Sequence, residues 1–306
     1  MSEHTIKVKN LSKMYKKVWE NNGQMALEEI SLTLEAGKIY GLIGRNGAGK
    51  TTLLSILSSY IQPSSGTISI NGEPLFDNEK YHSEIQFVYQ KQFLADSGES
   101  YPKVLKYIRK ETMFRSNFDW DYAQELVKKF GLPTNKRPHK LSKGMQSTLS
   151  AIIGLASRVP ITIFDETYLG MDAPMRDLFY KEILREQERY PRTFILSTHL
   201  ISEMEYLFDH VILLHQGRIL MEDTYEAIID QGFAIAGPVK TIDDFIGNRQ
   251  VLSTEQLGGY KKVTLLENLT NEERQNLTEN GTEISTMTLQ DLFIQLTGGN
   301  HNENND

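Results

Sequence analysis

The sequence predicts an α/β fold built on a largely parallel sheet with helices on both faces. Three observations predict it. Short apolar runs at 38–43, 161–164 and 193–197 alternate with stretches of helical periodicity, the pattern of a doubly covered parallel sheet. Residues Gly44, Arg45, Asn46, Gly47, Ala48, Gly49, Lys50 and Thr51 fill every fixed position of G-x-x-x-x-G-K-[ST], between one such run and a helix-like segment. The run Ile161, Thr162, Ile163, Phe164 delivers two adjacent carboxylates, Asp165 and Glu166, at the strand end where ligands bind in open parallel sheets.

In chain order, short strands are expected at Thr5 to Lys9, Leu27 to Leu34, Lys38 to Ile43 and Thr67 to Ile70, an N-terminal antiparallel part leading into the phosphate loop. A helix from Thr52 to Tyr60 follows that loop, and the apolar run Ile85 to Tyr89 stops at Gln90. The stretch of about 91–157 changes character: Pro102 to Thr112 and Tyr122 to Phe130 are helical in period, with turn signals at Gly131, Pro133 and Pro138, so a helical subdomain is expected. Ser142 to Ser157 reads as a helix opening on a serine cap, Ile161 to Phe164 as a buried strand, Ala173 to Tyr190 as a long charged helix and Thr193 to Ser197 as a strand. Val211 to Leu214 and Arg218 to Met221 flank His215, Gln216 and Gly217 as a hairpin. Residues 1–232 are read as the main domain. Residues 233–306 form a small α+β extension, with a strand at Lys261 to Leu266, helices at Asn271 to Asn280 and Leu289 to Leu296, and a disordered tail from Gly298.

A chain of 306 residues suits one large domain with a small appendage, and 39% hydrophobic with 24% charged residues is ordinary globular composition. The net charge of −7, with Lys and Arg spread along the chain, argues against nucleic acid as the main partner. Cysteine is absent, which excludes disulfide partners and thiolate chemistry. The N-terminus lacks the apolar core of a signal peptide, and no stretch reaches the roughly 18 to 20 apolar residues that span a bilayer. A cytoplasmic protein is expected, with any membrane part supplied by another polypeptide.

The chemistry follows from the spacing. Glycines let successive backbone N–H groups turn toward one anion, and the next helix aims its positive end at the same point. Lys50 adds a mobile cation for the β and γ phosphates, and the Thr51 hydroxyl is a ligand for magnesium. Asp165 is placed to hold that metal through its water shell, while Glu166, on the other side, is placed to orient an attacking water. Two such carboxylates without a task would be costly to bury.

Leu141, Ser142, Lys143, Gly144, Met145 and Gln146 stand about twenty residues ahead of the carboxylate strand, immediately before a helix. There the chain resembles the ATP-binding cassette (ABC) family, whose nucleotide-binding subunits carry a signature of the form LSGGQ. The resemblance extends over residues 5 to about 220 and implies a P-loop NTPase of ABC type. Tyr15 matches the aromatic that stacks on adenine, and Gln90 the glutamine that contacts magnesium and the attacking water. Leu169 to Asp172 match the D-loop, and His199 the switch histidine at the γ-phosphate. The resemblance assigns ATP and Mg²⁺ as ligands. Gly44, Asn46, Gly47, Ala48, Gly49, Lys50, Thr51, Thr52 and Asp172 are the nucleotide-binding residues, with Thr51, Gln90 and Asp165 on the metal side. Glu166, His199, Lys50 and Gln90 are the catalytic set. Ser142 and Gly144 act in trans from a second copy or a homologous subunit.

Three positions depart from the pattern: Lys143 replaces the first signature glycine, Met145 its glutamine, and Thr167 a proline that often follows the catalytic glutamate. None removes a charged catalytic group, so hydrolysis is expected to survive. The helical subdomain is where the family docks its membrane permease, and Phe93, Tyr101, Tyr107, Phe114, Phe118, Trp120 and Tyr122 crowd it, mostly as core and in part as partner surface. The run from Leu141 to Asp172 with the C-terminal extension resembles the ATPases of bacterial ABC-2-type exporters, YtrB-like and antibiotic-export groups among them. That implies a subunit peripheral at the inner face of the membrane, powering export of an amphipathic molecule. The alternatives are a nucleotide-gated regulatory module with little turnover, a soluble translation or repair ATPase, and the ATPase of an importer.

Overall fold

The computed structural model describes residues 4–16, 23–89, 101–249 and 251–298. The chain divides into two units, Met1–His199 with Tyr206–Leu220, and Leu200–Glu205 with Met221–Asp306. Gln90, Phe93 and the tail 299–306 lie outside the described residues.

The first unit begins with β1 (Ile6–Tyr15) and β2 (Gln24–Leu34), followed by β3 (Ile39–Ile43), the phosphate loop and α1 (Lys50–Leu57). β4 (Ser65–Ile70), β5 (Glu73–Pro74), α2 (Glu79–Glu84) and β6 (Ile85–Tyr89) come next. An antiparallel sheet has the order β2-β1-β4-β5. β1 runs six residues beyond the expected Lys9 because a bulge interrupts its alternation: Asn10 sits at φ 47°, its N–H donates to Ser31 Oγ at 2.8 Å, and pairing with β2 resumes at Leu11.

Helices α3 (Val104–Glu111), α4 (Trp120–Lys129) and α5 (Lys143–Ala156) form the expected helical part. Asp119 and Ser142 cap α4 and α5, accepting from Tyr122 N at 2.8 Å and Met145 N at 3.3 Å. β7 (Ile161–Asp165), α6 (Ala173–Arg189), β8 (Thr193–Thr198), α7 (Ile201–Met204), β9 (His210–His215) and β10 (Arg218–Thr224) follow, α7 being part of the second unit. The main sheet has the order β10-β9-β3-β8-β7-β6, and its interior pairs β9–β3–β8–β7–β6 are all parallel. β3, β7 and β8 are buried along their whole length, which is why they read as continuous apolar runs. Leu42, Ile163, Ile195 and Ile212 of this sheet share one core with Ile6, Val8, Leu27 and Ile30 of the antiparallel sheet and with Leu53 and Ile56 of α1.

The charged helix α6 is buried where its charge would place it in solvent. Glu182 accepts from Tyr122 OH at 3.1 Å and Lys129 Nζ at 2.8 Å, and Glu186 pairs with Arg192 and Arg158 at 3.2 Å each. Burial pushes the Tyr122 hydroxyl well above its usual range and the Arg192 guanidinium below its own. Charge pattern alone does not distinguish a solvated helix face from one that meets buried cations.

The second unit contains α8 (Tyr225–Asp230), β11 (Phe233–Pro238), α9 (Val239–Ile246), β12 (Val251–Leu257), β13 (Tyr260–Leu265), α10 (Asn271–Glu279), β14 (Glu283–Thr286) and α11 (Leu289–Gly298). Its order β-α-β-β-α-β, with sheet order β12-β13-β11-β14, all antiparallel, is a split βαβ arrangement. Phe233, Ile235, Val263 and Leu265 on one sheet face pack with Ile242 of α9 and Leu277 of α10. Only β13, α10 and α11 are foreseen in the sequence. α8, β11, α9, β12 and β14 are additions, and Gly298, expected to open the tail, closes α11.

Two expectations follow. Replacing Glu186 with Ala leaves Arg192, 4% exposed, without its carboxylate, and should cost about 3–5 kcal/mol in urea unfolding, with partial recovery on adding Arg192→Leu. In the second unit Glu273 is held down at about 2, first by the backbone N–H of Thr270 and then by Arg249. Its contribution is therefore full above about pH 4.5 and lost as pH falls toward about 2. The unfolding midpoint of Glu273→Gln should lie below that of the parent chain at about pH 6 and approach it at about pH 2.

Candidate functional site

The C-terminal ends of β3, β7 and β8 converge on one side-chain cluster. Gly44 closes β3, Arg45, Asn46 and Gly47 form an exposed turn, and Ala48 is buried beneath it. Gly49 precedes α1 at φ 107°, and a Cβ there would stand 2.6 Å from the carbonyl of Ala26, so only glycine fits. Lys50 and Thr51 follow in the first turn of α1, Lys50 buried and Thr51 exposed, with Thr52 half-buried behind them. Lys50 Nζ donates to the carbonyl oxygens of Gly44 at 2.7 Å and Arg45 at 3.4 Å, and lies 3.3 Å from Glu166 Oε1.

The same Glu166 oxygen is 3.0 Å from His199 Nδ1. A carboxylate only accepts, so His199 carries its proton on Nδ1 in this pairing and keeps Nε2 free to face solvent or substrate. One oxygen thus joins the phosphate loop to the end of β8. Asp165 is 7% exposed, and Ser197 Oγ donates to its Oδ1 at 2.5 Å. The same hydroxyl accepts the N–H of Glu166 at 3.0 Å. Ser197, absent from the expected set, is therefore shared by both carboxylate residues. A serine at the end of a buried strand beside two acidic residues was the signal available.

Glu166 adopts φ 46°, in the left-handed region, and the following turn is pinned from two sides. Thr167, fully buried where the family pattern often has proline, donates from its hydroxyl to Val88 O at 3.0 Å. Tyr168 OH and Thr198 Oγ1 are 2.8 Å apart. The departure at Thr167 replaces a stiff ring with a hydrogen bond to β6.

The remaining expected residues are placed as follows. Tyr15 ends β1, is 44% exposed and has Lys13 Nζ 5.3 Å from its ring centroid, which leaves surface for a stacked base. Ser142 is exposed and caps α5. Gly144, in the first turn of α5, faces the D-loop, where a Cβ would come within 2.3 Å of Gly170 O. Ser147 Oγ donates to Leu169 O at 2.8 Å, so signature and D-loop form one packed piece. Asp172 caps α6 by accepting from Met175 N at 3.0 Å. Among the described residues, no group of three or more His, Asp or Glu is arranged to hold a metal by itself, and no helix is long and apolar enough to cross a membrane.

The ABC transporter family model matches residues 27–168. The bacitracin transport ATP-binding protein BcrA of Bacillus licheniformis is 31% identical over 234 residues, covering 72% of this chain and 70% of that one. The chain belongs to the ABC transporter family. As a member of it, this cassette is an ATP-binding ATPase. The ABC transporter ATP-binding protein NatA of Bacillus subtilis is 28% identical across 67% of this chain and 84% of its own length. The choline transport ATP-binding protein OpuBA of the same species is 26% identical across 81% of this chain, which spans 64% of that longer relative. A solved ATP-binding subunit of an ABC transporter aligns at TM-score 0.62 with 26% identity, over 73% of this chain and 91% of that one.

The Gly144 geometry sets an expectation for this cassette. Gly144→Ala must push the Gly170 carbonyl away, with a loss of about 1–3 kcal/mol in stability, read from the urea midpoint at unchanged slope.

Proposed function

We propose that this chain is the ATP-hydrolysing subunit of an ABC transporter and works with a separate membrane permease. The observation that carries the reading is the meeting of Lys50, Glu166 and His199 at one carboxylate oxygen beside the phosphate loop. The exposed loop turn, the N-terminus of α1 and Lys50 hold the triphosphate, and Tyr15 stacks on the adenine. Asn46 and Thr52 complete the phosphate cradle. As phosphate oxygens occupy the loop, Lys50 passes from Glu166 to the phosphates. Glu166 is then free to hold a water in line with the γ-phosphorus, while His199 contacts the γ-phosphate.

Magnesium in nucleotide sites is held by one or two protein groups together with phosphate oxygens, and the near-buried Asp165 carboxylate with the exposed Thr51 hydroxyl fits that donor set. The ion would neutralise charge on the phosphates. Gln90 adds a further polar group on the metal side. Ser142, Gly144 and Asp172 meet the nucleotide of a second copy or a homologous subunit.

An aromatic surface favours the permease partner. Tyr60 and Tyr89 are exposed, and Tyr60 packs edge to face on both Phe87 and Tyr89, with Tyr107 beside a groove of about 180 Å³. Met113 and Phe114 are the most exposed apolar side chains of the helical part, at 79% and 71%, whereas Tyr101, Phe118 and Tyr122 are core. For the direction of transport, the matches to the choline- and carnitine-transport relatives run along 81% and 82% of this chain, against 72% for the bacitracin relative, and they favour the importer alternative over export. The bacitracin relative keeps export as the second reading. No branch, the YtrB-like one included, stands apart among relatives of 26 to 32% identity.

Glu166→Gln should lower steady-state ATP hydrolysis by about 10²-fold or more while leaving nucleotide binding intact. Lys50→Ala should weaken binding itself. Unchanged turnover in Glu166→Gln, or a parent chain that binds ATP without hydrolysing it even with its permease, would replace the enzyme reading with the regulatory one.

A further inference from the structure

The split βαβ unit has two sheet faces, and only one is accounted for by its core. On the other, the register sets Ser253 opposite Thr264 and Thr264 opposite Ala234, with Glu255 opposite Lys262 in the next row. These side chains line a cavity of about 150 Å³ that Asp291 and Gln295 of α11 border from one side. Thr264 lies on its floor at 6% relative exposure, its hydroxyl open to the cavity and unbonded within the described residues, while Glu255 and Lys262 stand exposed at the rim. Ser253, Glu255, Lys262 and Gln295 likewise have no partner there: the Lys262 ammonium and Glu255 carboxylate stand on facing positions of paired strands without forming an ion pair. Nearby in this unit Lys261 is paired with Asp243, and Arg249 with Glu267 and Glu273.

A facing cation and anion left apart above open hydroxyls leave room for a molecule bearing both complements. We infer that this cavity binds a small α-amino acid, its carboxylate on Lys262 and its ammonium on Glu255, with Ser253 and Thr264 bonding to the polar atoms between. The cavity volume equals the share of about five waters, which limits the ligand to a side chain on the order of that of glycine, alanine or serine. A primary ammonium offers the N–H donors that these oxygens accept, whereas a trimethylated one is held by aromatic faces, and none line this cavity. The site lies wholly within the second unit and does not depend on the reading of the phosphate loop.

The test is titration calorimetry on the full chain with glycine, L-alanine, L-serine and glycine betaine, repeated on Lys262→Ala, Glu255→Gln and Thr264→Val. Nucleotide binding is measured on each variant as a check that the chain is folded. The expected result is saturable binding of at least one of the three amino acids, weakened about tenfold or more by Lys262→Ala and by Glu255→Gln, with nucleotide affinity unchanged. Thr264→Val, which keeps shape and loses only the hydroxyl, should weaken it less. No saturable binding up to millimolar concentrations, equal binding of glycine betaine, or an affinity that neither charge variant changes would overturn the assignment.

Discussion

The active arrangement of this cassette depends on one hydroxyl. Ser197 donates to Asp165 and accepts from the backbone of Glu166, so a single side chain on β8 fixes both carboxylate residues at the end of β7. Glu166 needs that support because its backbone is left-handed, a conformation that costs on the order of 1–3 kcal/mol for a residue with a side chain. The strain is held by neighbours on both flanks: Thr167 ties the turn to β6 and Tyr168 ties it to Thr198, next to His199. All the anchors lie at C-terminal strand ends of the parallel sheet. The short, fully buried strands β3, β7 and β8 therefore do more than fill a core, because their register sets the spacing between Lys50, Glu166 and His199.

That dependence explains why the site was legible in the sequence. Backbone-driven features leave compositional traces: Gly49 marks a left-handed turn, and the run Ile161 to Phe164 marks a strand buried on both faces. The residues that hold the site together left no such trace. Ser197 reads as one more small residue in a strand, and Thr167 as a lost proline, because a hydroxyl's partner is set by strand order, which no local pattern encodes. Tyr60 and Tyr89 were passed over for the same reason. They lie far apart in sequence and become one surface only when α1 and β6 are packed.

The second unit was the least legible part, and its two faces show why. Its strands carry alternate apolar residues, Phe233 and Ile235 or Val263 and Leu265, but the intervening positions mix small, charged and hydroxyl side chains. Short, half-buried strands of that kind fall below what alternation reveals, whereas α10 declares itself through a reciprocal cap between Thr270 and Glu273. The same alternation that hid the strands puts Ser253, Glu255, Lys262 and Thr264 on one side of the sheet.

The altered signature can be sorted by what each position does within its own subunit. Lys143 and Met145, the departures, are both exposed on the first turn of α5, and Met145 meets the cap through its backbone N–H. The positions that match are under constraint: Ser142 caps the helix, and Gly144 is pressed against Gly170 so closely that no larger residue fits without moving the D-loop. Through Ser147 and Leu169 the two segments are locked together, and the D-loop ends in Asp172, the cap of α6. A force applied at the signature is therefore passed by direct backbone contact to the segment that begins at Glu166. The turn that carries Glu166 is in this way joined by direct contact to the segment that carries Ser142 and Gly144.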